Sequence, residues 1–433
     1  MTNLHLPHYR CKIELMKAFR QVLKDQFYYK TRFAILWSNL INEPFASLFT
    51  MMPFILRRDL EASAFQIVLF TMLRPVVSVF SYYWSSNLKQ QKKQLRPNLL
   101  IAGILARLPF LFFPIIHSSW YLIFSGLIYI LFTRASVPAW IEILKCNLPK
   151  QEREKLFSLG WTLGYLEGIC LALGIGAMLD FIASSWTLLF FFSALLGMIS
   201  TFLQARVPIK GEETFTNEDS YQKNWLTAPL KDSFSLLRER PDFALFQKGF
   251  MLGGFGVMLI HPALPLFYID VLNLSYLDIA LALTLCKGLG IVMTSSLWAR
   301  WLSKYNPNRL AGLICLGFAL FPLFLILAPW TLFWVYFAYL VYGIAQGGSH
   351  LMWHLSGPLF AQEEESSRYS AVNILMVGIR GLIAPILGGL LSKWFGATPT
   401  LIVGALFCSL GAYTLYTEND SRSGILTLRK PTS

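Results

Sequence analysis

The residues best able to do chemistry in this chain are charges set where charges are costly. Glu43, Arg74, Arg107, Arg134, Glu167, Lys287 and Arg380 each interrupt a long apolar run. At the centre of a bilayer a charge costs about 2.5–3.5 kcal/mol on insertion scales. Facing lipid, the set would cost roughly 20 kcal/mol, more than the about 5–15 kcal/mol by which most domains are stable. Most of these side chains must therefore face an interior, paired or hydrated. Their types limit what they can do there. The arginines offer forked donors suited to phosphate or carboxylate, and Lys287 offers a point charge. Glu43 and Glu167 are the carboxylates deepest in apolar runs and can carry a proton. Cations outnumber acids at this depth, so the surplus calls for water or for an anion.

Each candidate also has a purely structural reading. Arg107 reads as structural, held in an internal ion pair. Arg134 and Glu167 lie on consecutive apolar segments and suit a salt bridge as well as a proton relay. Arg74 and Lys287 can equally bond carbonyls freed beside Pro75 and Gly288. His261, followed by Pro262, is a proton carrier or, more simply, a hydrogen-bonded packing residue. His350 and His354 share a helix face at a spacing that can bind metal, but no carboxylate or thiol joins them in sequence, so no metal site is expected. Gly160, Gly164 and Gly168 make small-xxx-small steps, the pattern of closely packed helices.

Composition identifies the elements that must position these groups. The chain is 55% hydrophobic and only 14% charged, with a mean hydropathy of +0.51. Soluble domains carry about 25% charged residues, so this chain lacks the polar surface to face water on every side. Its apolar runs are continuous and long enough to span a bilayer as helices, which excludes a β-barrel. The expectation is an all-α membrane protein with twelve spans. Six fall near 33–56, 64–85, 98–117, 119–141, 157–180 and 184–205, and six near 243–268, 277–299, 308–328, 330–355, 368–391 and 397–416. Residues 1–32 form a basic segment in which Ile13, Met16, Phe19, Leu23 and Phe27 make one apolar stripe, suited to a helix on a membrane surface. Residues 206–242 are a polar linker ending in a short amphipathic helix that stops before Pro241, and 417–433 are a tail.

The second half echoes the first. Pro53, Trp120, Glu152, Ser158, Leu163, Ala172 and Gly176 recur as Pro265, Trp330, Glu364, Ser370, Leu375, Ala384 and Gly388, at a nearly constant shift of about 210 residues. Two six-helix halves in parallel repeat follow. Most of the 37 Lys and Arg fall on the side of the termini and linker, while Arg57, Arg58 and Lys393 fall on the other. Both termini should then be cytoplasmic, and the net charge of +13 reports orientation toward an anionic leaflet rather than nucleic-acid binding. The six cysteines imply no disulfide framework.

These features resemble the major facilitator superfamily. Arg134, in Leu-Phe-Thr-Arg-Ala-Ser-Val-Pro-Ala, sits where that family's fourth-span motif places its Arg, without the usual Gln-Gly after it. Gly378, Gly381, Pro385, Gly388 and Gly389 are similar to its Gly-Pro-Gly-Gly box, and Leu-Leu-Arg-Glu-Arg-Pro-Asp-Phe to its linker end. The loop after the second span departs from the pattern: Ser-Asn-Leu-Lys-Gln-Gln-Lys-Lys has neither the Gly nor the Asp of the family signature, which marks a divergent member. The resemblance implies a secondary transporter whose halves rock around a midplane solute site. It also implies that Glu43 lies on a cavity-lining span and that Arg74, Lys287 and Arg380 border the seam between halves. The expected ligand is a small anionic solute held by Arg74, Lys287 and Arg380, with Glu43, Glu167 and Arg134 serving proton coupling. A proton-coupled efflux pump for amphipathic compounds is the alternative. A membrane-embedded enzyme or sensor ranks lower, because no His and acid share a depth; without a nucleotide-cradling loop, ATP-driven pumping is not expected either. No cofactor is expected. A monomer in the plasma membrane, or the inner membrane of a bacterium, in contact with membrane lipid completes the reading.

Overall fold

In a computed structural model the chain is described over residues 26–90, 95–209, 228–302, 304–361 and 366–427. The apolar stripe from Ile13 to Leu23, the acids Glu363 to Glu365 and the side chain of His354 lie outside the described residues. The first six long helices are α1 (Gln26–Arg58), α2 (Ala64–Gln90), α3 (Leu95–Phe112), α4 (Ser119–Asn147), α5 (Lys150–Phe181) and α6 (Ser185–Ala205). A linker helix, Ala228–Glu239, precedes α7 (Pro241–Ile260), α8 (Tyr276–Leu302), α9 (Pro307–Ile326), α10 (Phe333–Ala361), α11 (Ser366–Phe395) and α12 (Ala397–Thr427). No strand occurs among the described residues.

Local chemistry sets the boundaries. Prolines at Pro241 and Pro307 open α7 and α9, where a missing N–H costs nothing, and the Asn306 side chain caps α9 by accepting from the Asn308 N–H at 2.8 Å. Beyond Arg107, α3 tightens into a 3-10 stretch over Leu108–Phe112 that contains Pro109, so it ends earlier than its apolar run. After Ile260, α7 is interrupted at His261 and Pro262 and resumes as Ala263–Leu266, followed by a wide π turn over Phe267–Val271. A second π turn, Leu281–Cys286, lies inside α8 directly before Lys287.

Among the described residues, nine helices are long and apolar enough to cross a membrane. Of the others, α2 is apolar over Ala64–Val77, while α1 and α10 stand where spans were expected but carry much of the polar cargo. Asn39, Asn42 and Glu43 lie in α1, Arg74 in α2, and Tyr336, Tyr339, Tyr342 and Gln346 in α10. Groups that furnish an interior lower the hydropathy of the helix that holds them.

Helix packing repeats the sequence echo. In the first half α1 packs on α5 and α6, α3 on α4 and α6, and α2 on α4. Moved on by six helices, the same pairs recur as α7 on α11 and α12, α9 on α10 and α12, and α8 on α10. The two principal contacts between halves, α2 with α11 and α5 with α8, exchange under the same operation. A two-fold relation between parallel repeats produces this pattern. One aromatic core runs from the first half across to Tyr268 and Phe321 of the second, and another lies within the second half alone. Phe45, Phe110, Phe113 and Phe190 fill the first, and Phe243, Phe246, Phe250 and Tyr369 fill one end of the second.

Candidate functional site

Two cations related by the repeat meet between the halves. Arg74 on α2 precedes Pro75, against which α11 packs so closely that a Cβ on Gly381 would stand 2.3 Å from the proline Cβ. On α8, Lys287 follows the π turn, and its carbonyl lies where a Cβ on Gly343 of α10 would come within 1.9 Å. Both backbones are therefore held firmly. The charge of Arg74 acts on Lys287, on His261 and on Arg134, and that of Lys287 acts on His261 as well. Arg74, Arg134 and His261 are exposed and Lys287 half-buried, although elements of both halves surround them. Side chains that are exposed yet enclosed by a bundle line an internal, water-accessible space. Arg74 also stacks its guanidinium 5.7 Å from the Phe49 ring centre.

The structure places Arg380 differently. It lies one helix away, 9% exposed, with Nη1 donating to the Phe250 carbonyl at 3.0 Å and the guanidinium over the Phe250 ring. A cavity of about 170 Å³ separates it from the cluster, lined by Arg380, Gly254, Cys315, Ser349 and the same His261. His261 thus links Arg380 to Arg74 and Lys287, a place that its sequence context gave only as one of two readings. Arg107 corrects the expected ion pair. It is 8% exposed, and its partners are neutral: Asn42 Oδ1 at 2.5 Å, the Gly103 carbonyl at 2.8 Å and Thr201 Oγ1 at 3.1 Å. Gly197 makes the room, since a Cβ there would lie 2.1 Å from Arg107 Nε.

Glu43 and Glu167 come together within the first half, close enough for the charge of Glu167 to act on Glu43. Glycines at 164 and 168 receive Glu43 (a Cβ on Gly168 would lie 2.8 Å from its Oε1), and Gly160 receives Asn39. The small-residue stripe of α5 is therefore a trough for a polar ridge of α1 as well as a helix contact. Ser47 donates to Glu43 Oε1 at 3.4 Å, and Glu167 Oε2 is buried without a hydrogen-bond partner. Among the described residues no ion pair joins Glu167 to Arg134, so the salt-bridge reading of that pair is not met. No group of three or more His, Cys, Asp or Glu is placed to hold a metal among the described residues.

A polar seal closes the end of the bundle away from the termini, and the sequence reading missed it. Arg57 of α1 pairs with Asp270 after α7, and Arg58 with Asp180 of α5, each at 2.8 Å. Asp180 then reaches across the halves and accepts from the Tyr276 and Leu277 N–H groups at 3.0 and 2.9 Å, capping the first turn of α8 in trans. The Tyr276 hydroxyl donates to Asp59, and Arg58 covers the Tyr276 ring at 4.6 Å. Burial pushes the Asp59 carboxyl above its usual range. Deeper along the seam, Tyr165 donates to the Thr284 carbonyl within the π turn at 2.8 Å, with its hydroxyl filling the space above Gly288. The available signal was Arg57 and Arg58, cations on the side otherwise nearly free of them.

A sequence model of the Major Facilitator Superfamily matches residues 33–379. No curated protein matches the sequence. Among solved structures, the chain is similar to the nucleoside transporter NupG, with a TM-score of 0.68 at 11% identity over 91% of this chain and 99% of that one. It is also similar to a bacterial homologue of the human lysosomal transporter Spinster in an inward-facing, unoccupied conformation, with a TM-score of 0.66 at 12% identity over 95% of this chain and 100% of that one.

Proposed function

The chain belongs to the Major Facilitator Superfamily, and from that premise we propose that it is a secondary transporter for a small organic anion. One observation carries the choice of charge. Arg74 and Lys287 are repeat-related and on opposite halves, and the charge of Arg74 acts on Lys287 and both act on His261 across an internal space. Cations brought together away from bulk water repel one another, and an anion between them removes that cost. The fork of Arg74 and the point charge of Lys287 suit a phosphate ester or a carboxylate. Arg380 joins through the cavity it shares with His261. It serves the ligand's far end or holds α7 to α11 in the shape the ligand needs. Glu43 and Glu167 are the proton-carrying groups of this reading, and both termini face the cytoplasm.

In alternating access, the seal at Asp180 and Tyr276 holds one face shut while the solute enters from the other. Proteoliposomes loaded with a panel of organophosphates and carboxylates provide the test. Uptake or counterflow of at least one anion is expected, with apparent affinity weakened at least tenfold by Arg74→Gln or Lys287→Gln, the ~1.4 kcal/mol of one modest charged contact. Normal expression of both variants with wild-type affinity, or a cationic substrate, would sink the proposal.

A further inference from the structure

A second basic site lies outside the transport path, where α1 and α6 diverge at the end of the bundle that carries the termini. The groove between them has a volume of about 790 Å³, the size class of a small-molecule site. Its walls are apolar and aromatic, with Phe33 (54% exposed) and Trp37 (48% exposed) on α1 facing Leu203 on α6. Three cations stand at its mouth: Lys30, Arg32 and Arg206. Among the described residues no acid lines it and none of the three makes an ion pair, although Arg32 hydrogen-bonds the Tyr28 side chain. Arg206 ends α6, and Arg32 and Phe33 stand where the first apolar run begins, so cations and aromatics sit at the boundary between hydrocarbon and water.

We propose that this groove binds one anionic membrane lipid, its phosphate held by Lys30, Arg32 and Arg206 and an acyl chain laid along Phe33, Trp37 and Leu203. Charge excludes one rival occupant, the segment before the groove; the acidic stretch after it, with Glu212 and Glu213, is the other, and its seating there would leave no lipid retained in the test below. The preceding residues of the chain carry Lys12, Lys17, Arg20 and Lys24, and such a segment is repelled by the cations it would have to cover. A zwitterionic lipid fills the apolar wall equally well but leaves the positive mouth uncompensated. Basic pockets between membrane helices hold anionic headgroups for this reason. The groove is formed within the first half alone, so its occupant would ride with that half and leave the seam free.

The test uses the full chain, purified in detergent and stripped of lipid. Native mass spectrometry and thermal unfolding are followed on addition of phosphatidylglycerol, phosphatidylcholine or soluble glycerol phosphate. One tightly retained phosphatidylglycerol and a raised unfolding temperature are expected, with little effect from the other two. Arg32→Gln with Arg206→Gln should weaken retention at least tenfold, and Trp37→Ala should weaken it by a smaller factor while leaving the charges in place. Equal retention of phosphatidylglycerol by wild type and by folded charge variants overturns the proposal. Equal stabilisation by glycerol phosphate also overturns it, because the site would then be one for a free anion.

Discussion

Two pairs of deep cations show how differently one bundle can house the same charge. Arg107 and Arg380 sit in closed niches, each under a tenth exposed, with backbone carbonyls for partners and a phenylalanine ring beneath the guanidinium. Glycines open both niches: Gly197 for Arg107, and Gly254 for Arg380, where a Cβ would come within 1.9 Å of Nη1. Arg74 and Lys287 have no such fitted niche. Arg74 is exposed and Lys287 half-buried, and the charge of Arg74 acts on Lys287. A closed niche holds its charge mainly for the fold, whereas on the proposed transporter reading the open cluster holds its charges for the solute.

The contrast breaks first at the closed niches. Arg107→Ala removes the donor to Asn42 Oδ1 and Thr201 Oγ1 together with a packed side chain. We expect a loss of about 3 kcal/mol, read by chemical denaturation in mixed micelles with ligand absent. A stability within 0.5 kcal/mol of wild type, about the scatter of surface substitutions, would show the niche to be dispensable. Gly197→Ala presses a methyl against an arginine pinned by its bonds and should cost about 2 kcal/mol by overpacking. Here an unchanged unfolding midpoint would mean that the guanidinium can shift.

The open cluster predicts the reverse. Arg74→Gln and Lys287→Gln should change unliganded stability by less than about 0.5 kcal/mol, or raise it, because each relieves repulsion. Anion affinity should still fall at least tenfold. A large stability loss in either variant would place these residues with Arg107.

Asp180→Asn sharpens the picture at the sealed end. The amide oxygen can accept one of the two N–H bonds, but the ion pair to Arg58 is lost. The cost is about 1 kcal/mol of the closed state, seen as faster labelling of a cysteine placed at Leu277 from the sealed side. The smallest effect on affinity is expected at the acid pair. Glu43→Gln or Glu167→Gln should abolish accumulation driven by a pH gradient while sparing solute-for-solute exchange, with little change in affinity. Accumulation that persists in both variants would make these acids structural.

Much of this was legible in the sequence, for identifiable reasons. Arg74 and Lys287 could be paired in advance, because repeat-related positions lie at equal depth. Arg107 could be recognised as structural but not given its partners. Asn42 and Thr201 are neutral, stand 65 and 94 residues away, and leave no mark on hydropathy. The glycine stripe of α5 was visible as a packing surface, yet nothing in its spacing indicated that Glu43 would lie in it. Asp180 was opaque for another reason: a carboxylate at the end of a span looks solvated, and only the approach of α8 turns it into a cap. The π turns are equally silent, since a widened turn needs no particular residue.

The two seams between the halves are equivalent in topology and unlike in chemistry. Between α5 and α8 the contact is polar, made by Asp180 on the Tyr276 and Leu277 N–H groups and by Tyr165 on Thr284. Between α2 and α11 it is a contact of shape, with Gly381 against Pro75 and Gly389 against Val68. Directed bonds lose most of their strength when their geometry is disturbed, whereas smooth surfaces can roll while staying in touch. On the proposed transporter reading the protein would work as a door more than as a pair of jaws: α2 and α11 the hinge side, α5 and α8 the catch, and the seam that looks more firmly fastened the one that lets go.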